Sequence, residues 1–273
     1  QYPQSWQVIL EAGNQHPPMT LRVNQRIISS NDCCLKLAEQ GIVAQKMANS
    51  AVMLAKPMPV DKLPGFYEGE VSVQDYGAQF AAELLDVADG LRVLDACCAP
   101  GGKTGHILEL ADVDMVALDN DAGRLQRVQA NLDRLKLKAR LAVGDAADNK
   151  YWWDGVPFDR ILADVPCTAS GIVRRHVDIK WLRREADIAS FTTQQALILQ
   201  GLWQVLAKGG KLLYTTCSIF HEENQRQIDN FLALHPDAAQ LPLIYTQHEQ
   251  LQRGQLYPSA EHDGFFYALL QKN

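Results

Sequence analysis

From Leu91 onward, short apolar runs alternate with longer stretches in which apolar residues recur every three or four positions. "LRVLDACC" (91–98) predicts a strand and "KTGHILELA" (103–111) the helix after it. "DMVALDN" (114–120) predicts the next strand. In "AGRLQRVQANLDRLKL" (122–137), Leu125, Val128, Leu132 and Leu135 fall on one helical stripe. "ARLAVGD" (139–145) and "FDRILADV" (158–165) are the third and fourth strands. "ASFTTQQALILQGLWQVLAKGG" (189–210) reads as a helix closed by its Gly pair, and "KLLYTTC" (211–217) as the fifth strand. "HEENQRQIDNFLALH" (221–235) predicts another helix and "GFFYALLQK" (264–272) a last strand. Strands alternating with helices predict a doubly wound α/β domain with a mostly parallel sheet.

The first 70 or so residues are patterned differently. "MTLRVN" predicts a strand and "SNDCCLKLAEQG" a capped helix ending at Gly41, and Pro57, Pro59, Pro64 and Gly65 punctuate the stretch beyond it. Residues 1–70 are therefore expected to form a small α+β subdomain and residues 71–273 the main domain, entered through a helix over 72–87.

Composition adds limits rather than a fold. With 273 residues, 47% hydrophobic and 21% charged, the chain is large enough for one sizeable domain and a small companion. The absence of any apolar run of the roughly 18 residues a membrane span needs, and of a leader pattern, makes a cytoplasmic protein without membrane contact the expectation. The six cysteines include no C-x-x-C pair, which argues against a zinc site or a disulfide framework, and no metal is expected. Cys33, Cys34, Cys97 and Cys98 read as small hydrophobes. Cys167 in "DVPCTASG" and Cys217 in "YTTCSIFHEEN" lie in polar, loop-like settings. A net charge of −6 argues against bulk electrostatic coating of nucleic acid. A local basic segment nonetheless stands out in "GIVRRHVDIKWLRR", where Arg174, Arg175, His176, Lys180 and Trp181 are candidate RNA contacts, with a plain solvated helix as the alternative. "RLKLKAR" (134–140) reads as solvated surface.

"LDACCAPGGKTGHIL" lies where a strand turns into a helix, the place where an open α/β sheet binds its ligand. It is not a Walker loop, because Cys97 stands where the first glycine belongs, and the adjacent Gly101 and Gly102 exclude the dinucleotide G-x-G-x-x-G. Asp95, Asp119, Asp145 and Asp164 fall at the ends of four successive strands. Asp119 is placed for ribose hydroxyls and Asp145 for an adenine edge. Acids converging on one sheet edge suit an adenosyl ligand without a diphosphate, namely S-adenosylmethionine.

Taken together, "DACCAPGGKT", "FDRILADVPCTASG", "DIKWLRR", "YTTCSIFHEEN" and "DGFFYALL" resemble the bacterial RNA 5-methylcytosine methyltransferases of the Fmu or Sun type, over nearly the whole chain. Cys98 and Val165 stand where that family more often has Ala. Such proteins usually carry a further N-terminal helical RNA-binding domain, which this chain is expected to lack. The resemblance implies a Rossmann-like S-adenosylmethionine-dependent methyltransferase fold over 71–273, with the small subdomain contacting RNA. It implies methylation of a cytidine in small-subunit ribosomal RNA; for the oligomeric state, a monomer is the default expectation. The backbone of Ala96, Cys97, Cys98, Ala99, Pro100, Gly101 and Gly102 would hold the methionine part of the cofactor, Asp119 the ribose and Asp145 the adenine, with Asp164 beside the methyl donor and the target base. Lys103 is expected to contact the cofactor or to cap the loop.

Carbon 5 of cytosine becomes nucleophilic only after a nucleophile adds at carbon 6, and a cysteine thiolate suits that step because it can leave again. Spacing alone does not choose between the two thiols. By the resemblance, Cys217 is the nucleophile, Cys167 assists removal of the carbon-5 proton and elimination, and Asp164 hydrogen-bonds or shares a proton with the base. Two other readings stay open: the same chemistry on transfer RNA, and a non-catalytic RNA-binding module. A small-molecule methyltransferase would need neither thiol.

Overall fold

The computed structural model describes residues 1–244, 251 and 253–273. Along β1 (Met19–Val23), side chains alternate between two buried surfaces. Met19, Leu21 and Val23 join Leu37 of α2 (Ser30–Glu39) and Val52 and Leu54 of β3 (Ala51–Leu54) in a local core. Thr20 and Arg22 point the other way and are equally buried. With β2 (Ala44–Lys46) and β4 (Val71–Val73), these strands form an antiparallel sheet in the order β2-β3-β1-β4, preceded by α1 (Trp6–Ala12). Ser72 and Val73, expected to open a helix, instead pair with β1 together with Val71, so the first sheet reaches slightly past residue 70. The helix, α3 (Tyr76–Leu84), starts only after Asp75, whose carboxylate accepts the Gly77 N–H at 2.8 Å and caps it.

The main sheet contains β5 (Arg92–Ala96), β6 (Asp114–Asp119), β7 (Arg140–Val143), β8 (Phe158–Asp164), β9 (Leu206–Thr216), β10 (Ala238–Leu241), β11 (Gln255–Leu256) and β12 (Phe265–Lys272). Its order is β10-β12-β9-β8-β5-β6-β7, with β11 paired to β12. Pairing is parallel from β7 to β9, and β12 joins antiparallel. The apolar runs are continuous because both faces are covered. Val93, Met115, Leu162 and Leu213 pack beneath α3, α4 (Gly102–Leu110) and α5 (Ala122–Leu135). Leu94, Val116, Ile161 and Leu212 pack beneath α7 (Glu185–Val205) and α8 (Gln225–Leu234), while the short α6 (Ile179–Leu182) lies in the basic segment.

Two helix ends differ from the pattern. The helix expected over 189–210 runs from Glu185 to Val205, and Leu206–Gly210 begin β9, where Leu206 pairs with Phe158. The Gly pair sits in an irregularity of that pairing, Gly209 at φ +77°, rather than in a helix cap. The helix expected from His221 starts at Gln225, because the Glu223 and Asn224 side chains turn inward to hydrogen-bond the preceding loop.

The two sheets are joined by buried charge. Arg22 (1% exposed) meets Glu109 of α4 through two bonds of 2.6 and 2.8 Å, and also donates to Gln74 Oε1 and the Gly102 carbonyl. Arg134 of α5, expected at the surface, reaches across to the Phe66 and Val71 carbonyls and Ser72, with its guanidinium 4.1 Å over the Phe66 ring. Removing one partner of a buried pair strands the other charge, at a cost of about 3–5 kcal/mol. Arg22→Ala is expected to lower the unfolding free energy by that amount in urea titrations, and the double variant Arg22→Met, Glu109→Leu to lose less than Arg22→Ala alone.

Candidate active site

Because β5, β6, β8 and β9 run parallel, their C-terminal ends share one edge of the sheet, at the point where the order reverses on either side of β5. Asp119 ends β6, Asp164 ends β8, and Cys217 follows β9 directly. Cys167 lies three residues past β8. The two thiols meet there, Sγ to Sγ at 3.5 Å, with Cys167 buried and Cys217 half-buried. A hydrogen bond to Cys217, then burial, pushes the Cys167 thiol well above the ordinary cysteine range. That contact and burial favour the protonated thiol at Cys167, whose sulfur faces the Cys217 sulfur.

Several contacts lock the two cysteine loops together. The Gly171 N–H donates to the Cys217 carbonyl at 2.8 Å, and the Gly264 N–H donates to the Gly171 carbonyl. A side chain at Gly171 would lie 2.4 Å from the Gly264 oxygen, so the crossing tolerates only glycine. Deeper, the fully buried Glu223 carboxylate accepts the Thr168 N–H at 2.8 Å, the Thr168 hydroxyl at 2.5 Å, the Ser218 hydroxyl and the Gln195 amide. Glu223 is a residue that the pattern of apolar positions does not single out. A signal is present: Asn224 and Gln227 continue the Ile228–Phe231 stripe backward, so polar residues stand where an amphipathic helix would bury apolar ones.

Lys103, at the start of α4, donates to Asp164 Oδ2 at 2.5 Å. Burial opposes charge on Lys103, but Asp164, with Cys217 and Asp95 behind it, outweighs burial and raises the ammonium above its ordinary range. Beneath the glycine loop, Asp95 accepts from Thr104 at 2.6 Å through one oxygen, while the other is buried without a partner. Burial lifts this carboxyl to about 7, with Asp164 and Asp119 adding to the effect. Gly101 takes φ +98° to turn the loop into α4, and Asp119 accepts the Ala99 N–H at 3.1 Å, tying the loop to β6. Arg124 donates to the Ala99 carbonyl at 2.8 Å.

An open cleft lies along this edge, lined by Cys97, Asp119, Asn120, Asp145, Pro166 and Ile198 among others. Cys97 lines it from a left-handed backbone, while Cys98 and Cys33 are buried and Cys34 is half-buried. Burial, reinforced by neighbouring carboxylates, pushes the Cys97 and Cys98 thiols far up, so neither is a nucleophile.

The basic segment divides. Arg174 is buried, donating to Asp263 Oδ1 at 2.5 Å and to the Ser259 carbonyl, and its guanidinium faces the protein rather than a partner. Arg175 bridges Asp263 and Asp75. Lys180 donates to the Gly13 carbonyl at 2.7 Å and to Asn14. His176 and Trp181 are exposed, Trp181 at 76%. Among the described residues there is no metal-holding cluster of His, Cys, Asp and Glu, and no helix long and apolar enough to cross a membrane.

The chain is similar throughout to known proteins. It is 49% identical to the ribosomal RNA small subunit methyltransferase B of Pseudomonas putida, over 99% of this chain and 64% of that protein. It is 47% identical to the protein of the same name from Vibrio cholerae, over 99% of this chain and 62% of that protein. The chain thus spans somewhat less than two thirds of these relatives. Among solved structures, a methyltransferase homolog from Pyrococcus horikoshii aligns with a TM-score of 0.86 at 30% identity, over 100% of this chain and 92% of that one. The NSun6 protein of Pyrococcus horikoshii, solved with SFG, shares the fold at TM-score 0.87 and 18% identity, over 97% of this chain and 93% of that one. Residues 1–61 match the ferredoxin-like domain of RsmF/B-like methyltransferases. Residues 82–271, which carry the glycine loop, the strand-end acids and both thiols, match the 16S rRNA methyltransferase RsmB/F model, and the chain belongs to that family.

Proposed function

We propose that this chain carries the methyl-transfer centre of an enzyme acting on small-subunit ribosomal RNA, which methylates carbon 5 of a cytidine through a covalent Cys217–carbon 6 adduct, with S-adenosylmethionine as donor. The observation that carries the reading is the meeting of two thiols at 3.5 Å beside the Lys103–Asp164 pair, at the edge where the cleft opens. Family membership and the names of the relatives support the RNA substrate class.

The cleft suits an adenosyl sulfonium. Asp119 and Asp145 line it with carboxylate oxygens fit for hydroxyl and amino donors, and the same acids would repel a diphosphate. The unpartnered Asp95 oxygen lies under the loop where a cationic group would relieve it. Ala96–Gly102 would hold the amino-acid part, Asp119 the ribose and Asp145 the adenine. Bound there, S-adenosylmethionine supplies an electrophilic methyl group.

The protein's own residues do the rest. The Cys217 thiolate adds to carbon 6, forming the S–C bond and shifting the 5,6 electron pair toward carbon 5. Asp164 hydrogen-bonds the ring-nitrogen side of the base as charge develops there, and Lys103 orients that carboxylate. Once carbon 5 has been methylated, its proton passes to a water molecule, the electron pair of the C–H bond re-forms the 5,6 double bond, the S–C bond breaks and the thiolate is regenerated. Cys167, a protonated thiol aimed at the Cys217 sulfur, stabilises the departing thiolate by hydrogen bonding. The base reaches this pocket by leaving its stack, and the exposed Trp181 and His176 offer surfaces for neighbouring bases.

Incubated with ribosomal RNA and S-adenosylmethionine, Cys217→Ala is expected to lose both methyl transfer and denaturation-resistant adduct. Cys167→Ala is expected to accumulate adduct; the reversed pattern would make Cys167 the nucleophile. Asp95 yields a pH prediction for the ligand-free protein. Its folded pKa lies above the ordinary carboxylate value, so the folded state binds the extra proton and loses stability as pH rises from about 4 to about 7. Asp95→Asn is therefore expected to melt above the wild type at pH 8, with the gain fading as pH falls through that window in thermal scans.

A further inference from the structure

Glu223 takes no part in the bond-making and bond-breaking at the base, yet its carboxylate is fully engaged close to both thiols. It lies just beyond β9 and is 0% exposed. Its carboxylate receives four donors drawn from three segments. Two come from Thr168, the residue after Cys167; one from Ser218, the residue after Cys217; and one from Gln195 on α7. Thr168 and Ser218 also meet directly, Oγ1 to Oγ at 3.2 Å, and Ser170 bonds Ser218 at 3.1 Å. The Glu223 carbonyl in turn accepts the Tyr214 hydroxyl at 2.7 Å, which anchors the turn to β9. Gln195 donates a second bond to the Pro166 carbonyl, so the Pro-Cys segment is held on both sides of Cys167.

We propose that Glu223 is a positioning residue for the thiol pair: by clamping Thr168 and Ser218 to one carboxylate, it sets the 3.5 Å approach of Cys167 to Cys217 and keeps the two sulfurs in unequal surroundings, Cys167 buried and Cys217 half-buried. This rests on the proposed thiol chemistry for its purpose, but the clamp itself is testable without RNA. Only a carboxylate accepts every one of these donors. A glutamine turns its amide nitrogen either to the Thr168 and Ser218 hydroxyls or to the Thr168 N–H and the Gln195 amide, all of which already serve as donors, so at least one bond must break or reverse. The charge matters as well as the geometry. Glu223 is among the groups that hold the Cys167 thiol protonated, behind the Cys217 hydrogen bond and burial. Without that charge, Cys167 ionises more readily and the distinction between the sulfurs narrows.

The test is site-resolved alkylation of the free protein by iodoacetamide, read by mass spectrometry as a function of pH, in wild type, Glu223→Gln and Ser218→Ala. Cys33, buried in the core of the other sheet, serves as the internal reference. The ratio of Cys217 to Cys167 labelling at neutral pH is expected to fall severalfold in Glu223→Gln. Cys167 should label at lower pH than in wild type while Cys33 is unchanged. Ser218→Ala, which removes one donor and keeps the charge, should move the ratio in the same direction by less. An unchanged ratio in Glu223→Gln, or equal acceleration at Cys33, Cys167 and Cys217, would overturn the proposal, the latter because it signals general loosening. Methyl transfer to ribosomal RNA measured on the same samples separates the clamp from the reaction it serves. A narrowed ratio in a protein whose wild type transfers no methyl group would sustain the clamp and sink the proposed reaction.

Discussion

Parallel pairing of β8 with β9 is the constraint on which the site depends. Asp164 stands opposite Thr215 in that register, so chains leaving both strands emerge at the same edge and within a few residues of each other. An antiparallel partner would have sent one cysteine to the far end of the sheet. Parallel strands need a long crossover, and α7 supplies it while covering the sheet face beneath. The crossover helix is also functional scaffolding, because Gln195 projects from it to the Pro166 carbonyl and Glu223. Fold and site are therefore the same hydrogen-bond network viewed at two depths.

Electrostatics set buried charges that are neutralised in pairs against an acid that is not. Arg22 with Glu109, Arg174 with Asp263, and Lys103 with Asp164 are each matched. The first joins the small sheet to the helix that leaves the glycine loop, so the loop's far end is braced from outside the cleft. Asp95 has no ion-pair partner among the described residues, and one of its carboxylate oxygens is buried and unpartnered, as is one guanidinium nitrogen of Arg174. Such an atom is costly in isolation and is found where a ligand completes the set. Burying that carboxyl on folding is linked to its protonation, which is why Asp95 carries a pH signature in the ligand-free protein.

How much of this is legible in the chain varies with the physics involved. The five parallel strands and their helices are readable because continuous apolar runs and helical stripes survive without tertiary context, as with Leu125, Val128, Leu132 and Leu135. The first strand of the small subdomain is readable for the same reason, but β2, β3 and β4 are three or four residues long and carry too little pattern. The strand-end acids and both cysteines are visible because a strand's last residue has a known edge. Long-range partners are not. Nothing local distinguishes Arg174, sunk against Asp263, from an exposed arginine in the same basic run, and the stripe continued backward through Asn224 and Gln227 does not say which inward group Glu223 meets. The Gly209–Gly210 pair is legible as a break but not as the right kind of break, since a glycine pair serves a strand irregularity and a helix cap equally well.

The most direct test of the central claim is to trap the adduct and locate it. A small-subunit ribosomal RNA transcript made with 5-fluorocytidine blocks loss of the carbon-5 substituent, so elimination stalls after methyl transfer and the protein stays bound to the base. Digestion and mass spectrometry of the trapped complex then identify the modified peptide. The account predicts the nucleotide on Cys217, within the "YTTCSIF" segment. A nucleotide on Cys167, or no covalent complex from protein that still transfers methyl groups to unmodified RNA, would contradict it.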